Sequence, residues 1–477
     1  MSRSRRTRYT ILVLGAAVAS AACDGSYASP GGRQVGTVEL HNSGDPAAQE
    51  SFLDGLAALH SFWYEEARDL FRQAQATDPG FALAYWGEAM TWYQPIWSTT
   101  NTSSGRAAIE RLDDDAGERL ERYGTEVERA LVDAARELFD GDGEAAFSAS
   151  LGASHQRLPD STEIAAFYAL SLQGRASRWG KRSAEDERLI AESVAILEEL
   201  FERHPRHPGV LHYLIHALDN PEDAPRGKAA ADIYLTVAPD ASHALHMPSH
   251  IYVQLGDWER VVESNRAAWA ASERWVDRKD LAQSKKDFHA LSWLHYGLLQ
   301  LGDFAAADEV RATLRANGGG RWNSEPVWEA RRLIESEDWH MTLSESSREE
   351  SLFARAYAAA RRGDLDGARE GIESLGGAGG DTEILRLELE ALVAAEEGRT
   401  ERAVRRLAEA AELEEAQRTP SGPPDLVKPA LELYGEVLLA MGRCGEAVEA
   451  FERSLARMPN RRLSVRGARD ATTCGVG

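Results

Sequence analysis

Residues 48–81 read AQESFLDGLAALHSFWYEEARDLFRQAQATDPGF, and this stretch sets the fold. Counted from Ala48, the small and packing residues take fixed places: Gly55 at position 8, Ala67 at 20, Phe71 at 24, Ala74 at 27 and Pro79 at 32. The same places are filled from Lys428, with Gly435 at 8, Gly442 between the two halves, Ala447 at 20, Phe451 at 24 and Pro459 at 32. A pair of helices whose backbones approach through small residues explains both stretches. Such a pair leaves an apolar face that the next pair must cover, so the unit is built to repeat.

Partial copies stand between these ends. LGDWERVVESNRAAW from Leu255, LGDFAAADEV from Leu301, RGDLDGAREGI from Arg362 and EGRTERAVRRLAEAAEL from Glu397 each read as a turn followed by a second helix. Within the Gly-Asp turns, Gly permits the left-handed conformation that ends one helix and Asp caps the amides of the next. The pattern resembles the tetratricopeptide repeat over most of residues 48–460, which implies an all-α solenoid of helical hairpins wound into a right-handed superhelix. It fades between Ser98 and Glu185, where an insertion is expected to carry helices at 113–123, 125–139, 145–157 and 161–173. AYWGEAM (84–90), HPGVLHYLIHALD (207–219) and HMPSHIY (246–252) further resemble a group of exported bacterial tetratricopeptide-type proteins, a likeness that implies fold and export and assigns no chemistry.

Size and composition agree with a repeat array. The chain has 477 residues, more than one ordinary domain, and it is rich in Ala, Glu, Leu and Arg with few β-branched runs. A formal charge of −23 excludes a nucleic-acid binder, which needs clustered Lys and Arg. There is no nucleophile elbow, phosphate loop or dinucleotide fingerprint. The glycine-rich stretches at 315–321 and 375–381 follow no strand and read as joints.

The first 22 residues have a basic start (Arg3, Arg5, Arg6, Arg8), an apolar run from Ile11 to Val18 and small residues up to Cys23, the pattern of an export signal. That run is too short to span a bilayer. Ser20-Ala21-Ala22-Cys23 resembles the lipobox of bacterial lipoproteins, which implies lipidation of Cys23 and membrane contact through that anchor alone; Ser20 departs from the aliphatic residue usual there, and ordinary cleavage near Ala22 is the alternative. The expected location is the periplasmic side of the cell envelope. Residues 23–47 read as a flexible tether. The body then divides into N-terminal repeats with the insertion (48–205), histidine-rich central repeats (206–318), C-terminal repeats (319–460) and a tail (461–477). In an exported chain Cys444 and Cys474 would either pair, pinning the tail over the last hairpin, or remain two thiols.

Histidine is the unusual feature. Seven of the 13 histidines fall in 204–250, and two His-x-x-x-His pairs recur at the repeat interval, His212 with His216 and His246 with His250. Both pairs occupy positions 5 and 9 of a first helix, positions that look into the concave groove of a tetratricopeptide array. Residues four apart share a helix face, and neighbouring helices lie about 8–10 Å apart, so the four imidazoles can converge on one ion, with His289 joining from the side. All-imidazole ligation suits zinc, copper, iron or nickel. Pro248 counts against the second pair, because a proline kinks or starts a helix there. Trp86, Tyr93 and Glu88 also take groove positions or stand close to them, where aromatics either stack on a ligand or simply fill core. Two functions follow: a scaffold binding a protein, peptide or envelope ligand in the groove, or a metal-binding protein or metalloenzyme using the histidines.

Overall fold

The computed structural model describes residues 33–474 apart from 113, 177–181, 319–323 and 377–378. The export segment and Cys23 lie outside the described residues, as do parts of both glycine-rich stretches. Among the described residues the only strand pairing is a two-residue bridge, Tyr93–Gln94 against Thr99–Thr100. All other regular structure there is helical, and among the described residues no helix is long and apolar enough to cross a membrane.

The helices pair as the 34-residue period requires. Gln49–His60 packs on Tyr64–Thr77, Pro208–Ala217 on Ala224–Tyr234, Phe288–Leu301 on Phe304–Ala316, Gly380–Glu396 on Thr400–Ala416, and Ala430–Ala440 on Cys444–Arg457. Small-on-aromatic contacts hold the first and last of these pairs close. A Cβ added to Gly55 would stand 3.1 Å from the Phe71 ring, and one added to Gly435 would stand 2.8 Å from Phe451. Both rings are fully buried, a burial that stabilises each by about 1.5–3 kcal/mol. At the Gly-Asp turns Gly256 and Gly302 adopt positive φ, while Asp257 and Asp303 accept from the amides of Arg260 and Ala306.

The insertion is helical at Asp114–Tyr123, Glu126–Phe139, Glu144–Arg157 and Thr162–Arg175, beside the expected 113–123, 125–139, 145–157 and 161–173. Thr125 caps the second of these in a reciprocal box with Glu128. Glu128 also accepts from the amide and hydroxyl of Ser43, and this corrects the tether. From Gln34 onward the chain is fixed to the body: Val35 and Val38 are buried, and Gln34 and Asp240 exchange two hydrogen bonds. Apolar residues at 35 and 38 gave it something to bury.

A buried cluster runs across the division at 205/206. One hydrophobic core runs from Val35 to Tyr296, and a second spans 330–437. The first hairpin and the segment after the last one both contact the central repeats. Trp275 and Lys279 bond Glu66 in the first hairpin. The supposed tail contains a helix, Arg462–Thr473, packed on Cys444–Arg457, with Cys474 bonded to Cys444 across Cα atoms 5.7 Å apart. Arg461, fully buried, bonds Glu432, Glu335 and the Tyr296 hydroxyl. The Trp258 indole donates to the Asn460 carbonyl.

Candidate metal centre

The histidines stand on the first helices of three successive units. His207 opens Pro208–Ala217 as its N-cap, accepting at Nδ1 from the Val210 amide, and Pro208 presets the first turn. His212 and His216 follow one turn apart, with ring centroids separated by 4.8 Å. The next unit carries His243 and His246 on Ser242–His246 and His250 on Pro248–Leu255. Pro248 does break the helix formally, yet Met247 between the two segments remains in the right-handed helical region. His246 and His250 therefore still meet, 5.0 Å between rings. His289 starts the third unit, on Phe288–Leu301.

These side chains form two triads, not the single four-histidine site expected from the sequence. His212, His216 and His243 make one; His246, His250 and His289 make the other. In each, three imidazole nitrogens lie within 4.8 Å of one another. The correction has a simple cause in the repeat register. Positions 5 and 9 of one unit are completed by position 2 of the following unit, His243 in the first case and His289 in the second. The shared second position of His243 and His289 is the sequence signal that places His243 in the site. The triads are adjacent, with 6.0 Å between the rings of His216 and His250 and 6.1 Å between those of His243 and His246.

Hydrogen bonds behind the rings fix which nitrogen faces inward. His212 Nδ1 lies 2.6 Å from the His60 carbonyl oxygen, so it is the protonated nitrogen and Nε2 carries the lone pair. His246 Nδ1 lies 2.6 Å from Asn265 Oδ1, and the Asn265 amide is oriented by donating to the Val261 carbonyl. His250 Nδ1 donates to the Asp219 carboxylate at 2.8 Å, whose other oxygen accepts from Gln254. Inside the triads His212 Nε2 is 3.2 Å from His243 Nε2, and His246 Nε2 is 3.2 Å from His250 Nε2. Burial pushes His212 down to about 3, and burial with neighbouring imidazoles holds His243 and His246 far below the ordinary histidine range. These three imidazoles are neutral at physiological pH.

Aromatic rings wall the site. Phe62 lies 4.2 Å from the His212 ring and 5.7 Å from that of His243, and half-exposed Trp97 covers His243 at 5.5 Å. Trp293 packs on His246 and His250 at 4.8 and 4.5 Å. His289 is the exposed member and marks the open side.

A third cluster supports the first triad. Glu163, buried, accepts from His60 Nε2 at 2.8 Å and His207 Nε2 at 3.0 Å, while His60 Nδ1 meets the Tyr213 hydroxyl. Burial would raise the Glu163 carboxyl, but the two imidazoles hold it well below the usual carboxylate range. Its donors and acceptors satisfy one another, so it positions the His60 carbonyl that orients His212.

The remaining sequence candidates belong to the core. Trp86 and Tyr93 are buried, set edge-on against Phe167 and Phe147 of the inserted helices. Glu88 is buried in a network with Arg72, Gln75 and Arg111. The insertion covers the face that a plain repeat array would leave to a ligand, and this is why these groove positions do not line an open surface.

Hairpins in a 34-residue register, closed by glycine on phenylalanine, decide the architecture. The protein is a tetratricopeptide-type helical-repeat array. No family model matches the chain, and neither does any curated protein sequence. Among solved structures it is similar to a chain of the APC/C hetero-tetramer Cut9-Hcn1 (12% identity, 89% of this chain and 76% of that chain, TM-score 0.36). It is likewise similar to yeast Tom70 (12%, 90% and 89%, 0.31) and to the human IFIT1 dimer with PPP-AAAA (12%, 90% and 91%, 0.36). Scores this low carry neither superhelical course nor ligand across, so the chemistry of this tetratricopeptide array rests on its own residues.

Proposed function

We propose that this helical-repeat scaffold binds transition-metal ions at its two histidine triads. The carrying observation is the pair of Nε2–Nε2 separations of 3.2 Å, one in each triad. Tetrahedral coordination with metal–nitrogen bonds of about 2.0–2.1 Å places two ligand nitrogens about 3.3 Å apart. The Nδ1 atoms of His212, His246 and His250 are each held by an acceptor, the outer-shell arrangement that fixes ligating imidazoles. Imidazole-only ligation favours zinc, copper, iron or nickel over magnesium or calcium. Three protein ligands per ion leave a coordination position for water or substrate, as catalytic sites do.

Elemental analysis of untagged protein tests this. Stoichiometric metal that is lost in the His212→Ala/His246→Ala double variant, with helicity retained, is the expected result. Absence of metal after aerobic and anaerobic purification, together with a melting temperature unmoved by added ions, overturns it. A second reading follows from the architecture: repeat arrays present a long surface to which a protein or peptide partner can dock. Such a partner would still bind the double variant.

A further inference from the structure

The two triads share a register but not a proton count, and the difference has a consequence for loading. This inference rests on the metal-binding reading above. In the first triad His212 has its only proton on Nδ1, committed to the His60 carbonyl. The 3.2 Å contact with His243 Nε2 is then attractive when His243 is the Nε2–H tautomer and donates. The first triad can therefore close on itself.

The second triad, with both rings neutral, cannot. His246 spends its proton on Asn265 Oδ1, and His250 spends its proton on the Asp219 carboxylate. Two lone pairs are left facing each other across 3.2 Å. His246 is fully buried and His250 largely so, which denies them water as a relief. A positive charge there makes that contact favourable, either a metal ion between the two nitrogens or an extra proton on His250 balanced by Asp219, and the metal ion takes the place of that proton. Asp219 adds a negative charge directly behind one ligand, whereas the direct acceptor behind His212 is a neutral carbonyl.

We infer that the triads form a two-ion centre that fills in order. His246, His250 and His289 take the first divalent transition-metal ion, by way of exposed His289. His212, His216 and His243 take the second, after the His243 proton has moved from Nε2 to Nδ1. With inter-triad rings only about 6 Å apart, the first ion repels the second, and the second step is weaker.

Zinc titration of the chelator-treated full chain, followed by calorimetry and elemental analysis, tests the order. Wild type is expected to bind two ions in two resolved steps with dissociation constants at least tenfold apart. His289→Ala removes the tight step; His243→Ala removes the weak step and leaves the tight one unchanged. Asp219→Asn, which keeps an acceptor oxygen, weakens the tight step by about 10–100-fold and leaves two ions bound. Loss of the tight step in His243→Ala with retention in His289→Ala overturns the order. A single ion per wild-type chain overturns the pair while sparing the metal reading, and no ion at all overturns both.

Discussion

Asn265→Leu separates the metal site from the fold, because its effects on the two have different sizes. The Asn265 amide oxygen sits 2.6 Å from His246 Nδ1, and both residues are fully buried. Without that acceptor, a proton left on Nδ1 costs about 1–3 kcal/mol. The ring escapes by moving the proton to Nε2, where His250 Nε2 waits 3.2 Å away, a bond that recovers about 0.5–1.5 kcal/mol. The metal-free variant is therefore expected to unfold within about 1 kcal/mol of wild type. Metal must reverse the change, returning the proton to an Nδ1 left with only the Ser249 hydroxyl at 3.4 Å, so affinity falls about 10–100-fold. In urea melts at a zinc concentration 100 times the wild-type dissociation constant, one ion stabilises wild type by about 2.7 kcal/mol. The same ion stabilises the variant by about 0.4–1.4 kcal/mol. Equal zinc stabilisation in the two proteins would refute the tautomer argument.

Other expectations concern the rest of the chain. Arg461→Met strips the buried carboxylates of Glu432 and Glu335 of a shared partner and should cost about 3–5 kcal/mol in urea unfolding, a loss of under 1 kcal/mol showing that the C-terminal closure carries little. Burial raises the Glu432 carboxyl, but Arg461 and Lys428 more than offset it and hold it at about 2 against 4.5 in a free side chain. A depressed carboxyl stabilises above its unfolded value, so this contribution is complete above about pH 5 and lost as pH falls from 4.5 toward 2, and Glu432→Gln should flatten acid unfolding there. If Cys23 is lipidated on export, Cys23→Ser moves the protein from the detergent-extracted membrane fraction to the soluble envelope fraction, and unchanged partition would discard the anchor.

Much of the fold was legible because helical hairpins are specified locally. Gly55 opposite Phe71 and Gly435 opposite Phe451 report a close approach within one hairpin, and the Gly-Asp turns report where a helix stops and the next is capped. The inserted helices were readable for the same reason, as Thr125 and Ser161 announce their starts. The tether and tail were misread where a few residues decide. Val35 and Val38 do not make a periodic pattern, yet two buried side chains suffice to fix the segment. Arg461 looks like a surface residue until Glu335, Glu432 and Tyr296 surround it.

For the histidines, the sequence by itself determined the period: residues four apart on a helix share a face, and residues one repeat apart share a register. That much placed His212, His216, His246 and His250 on one side of the array. Only the tertiary structure decided that they divide between two centres, because division depends on which residue the following unit offers at its second position. It alone supplied the His60 carbonyl and Asn265 and set Asp219 behind His250, partners that fix the protons from 152, 19 and 31 residues away. Covalent geometry repeats along a chain, whereas the partners of a buried nitrogen are chosen by packing across it.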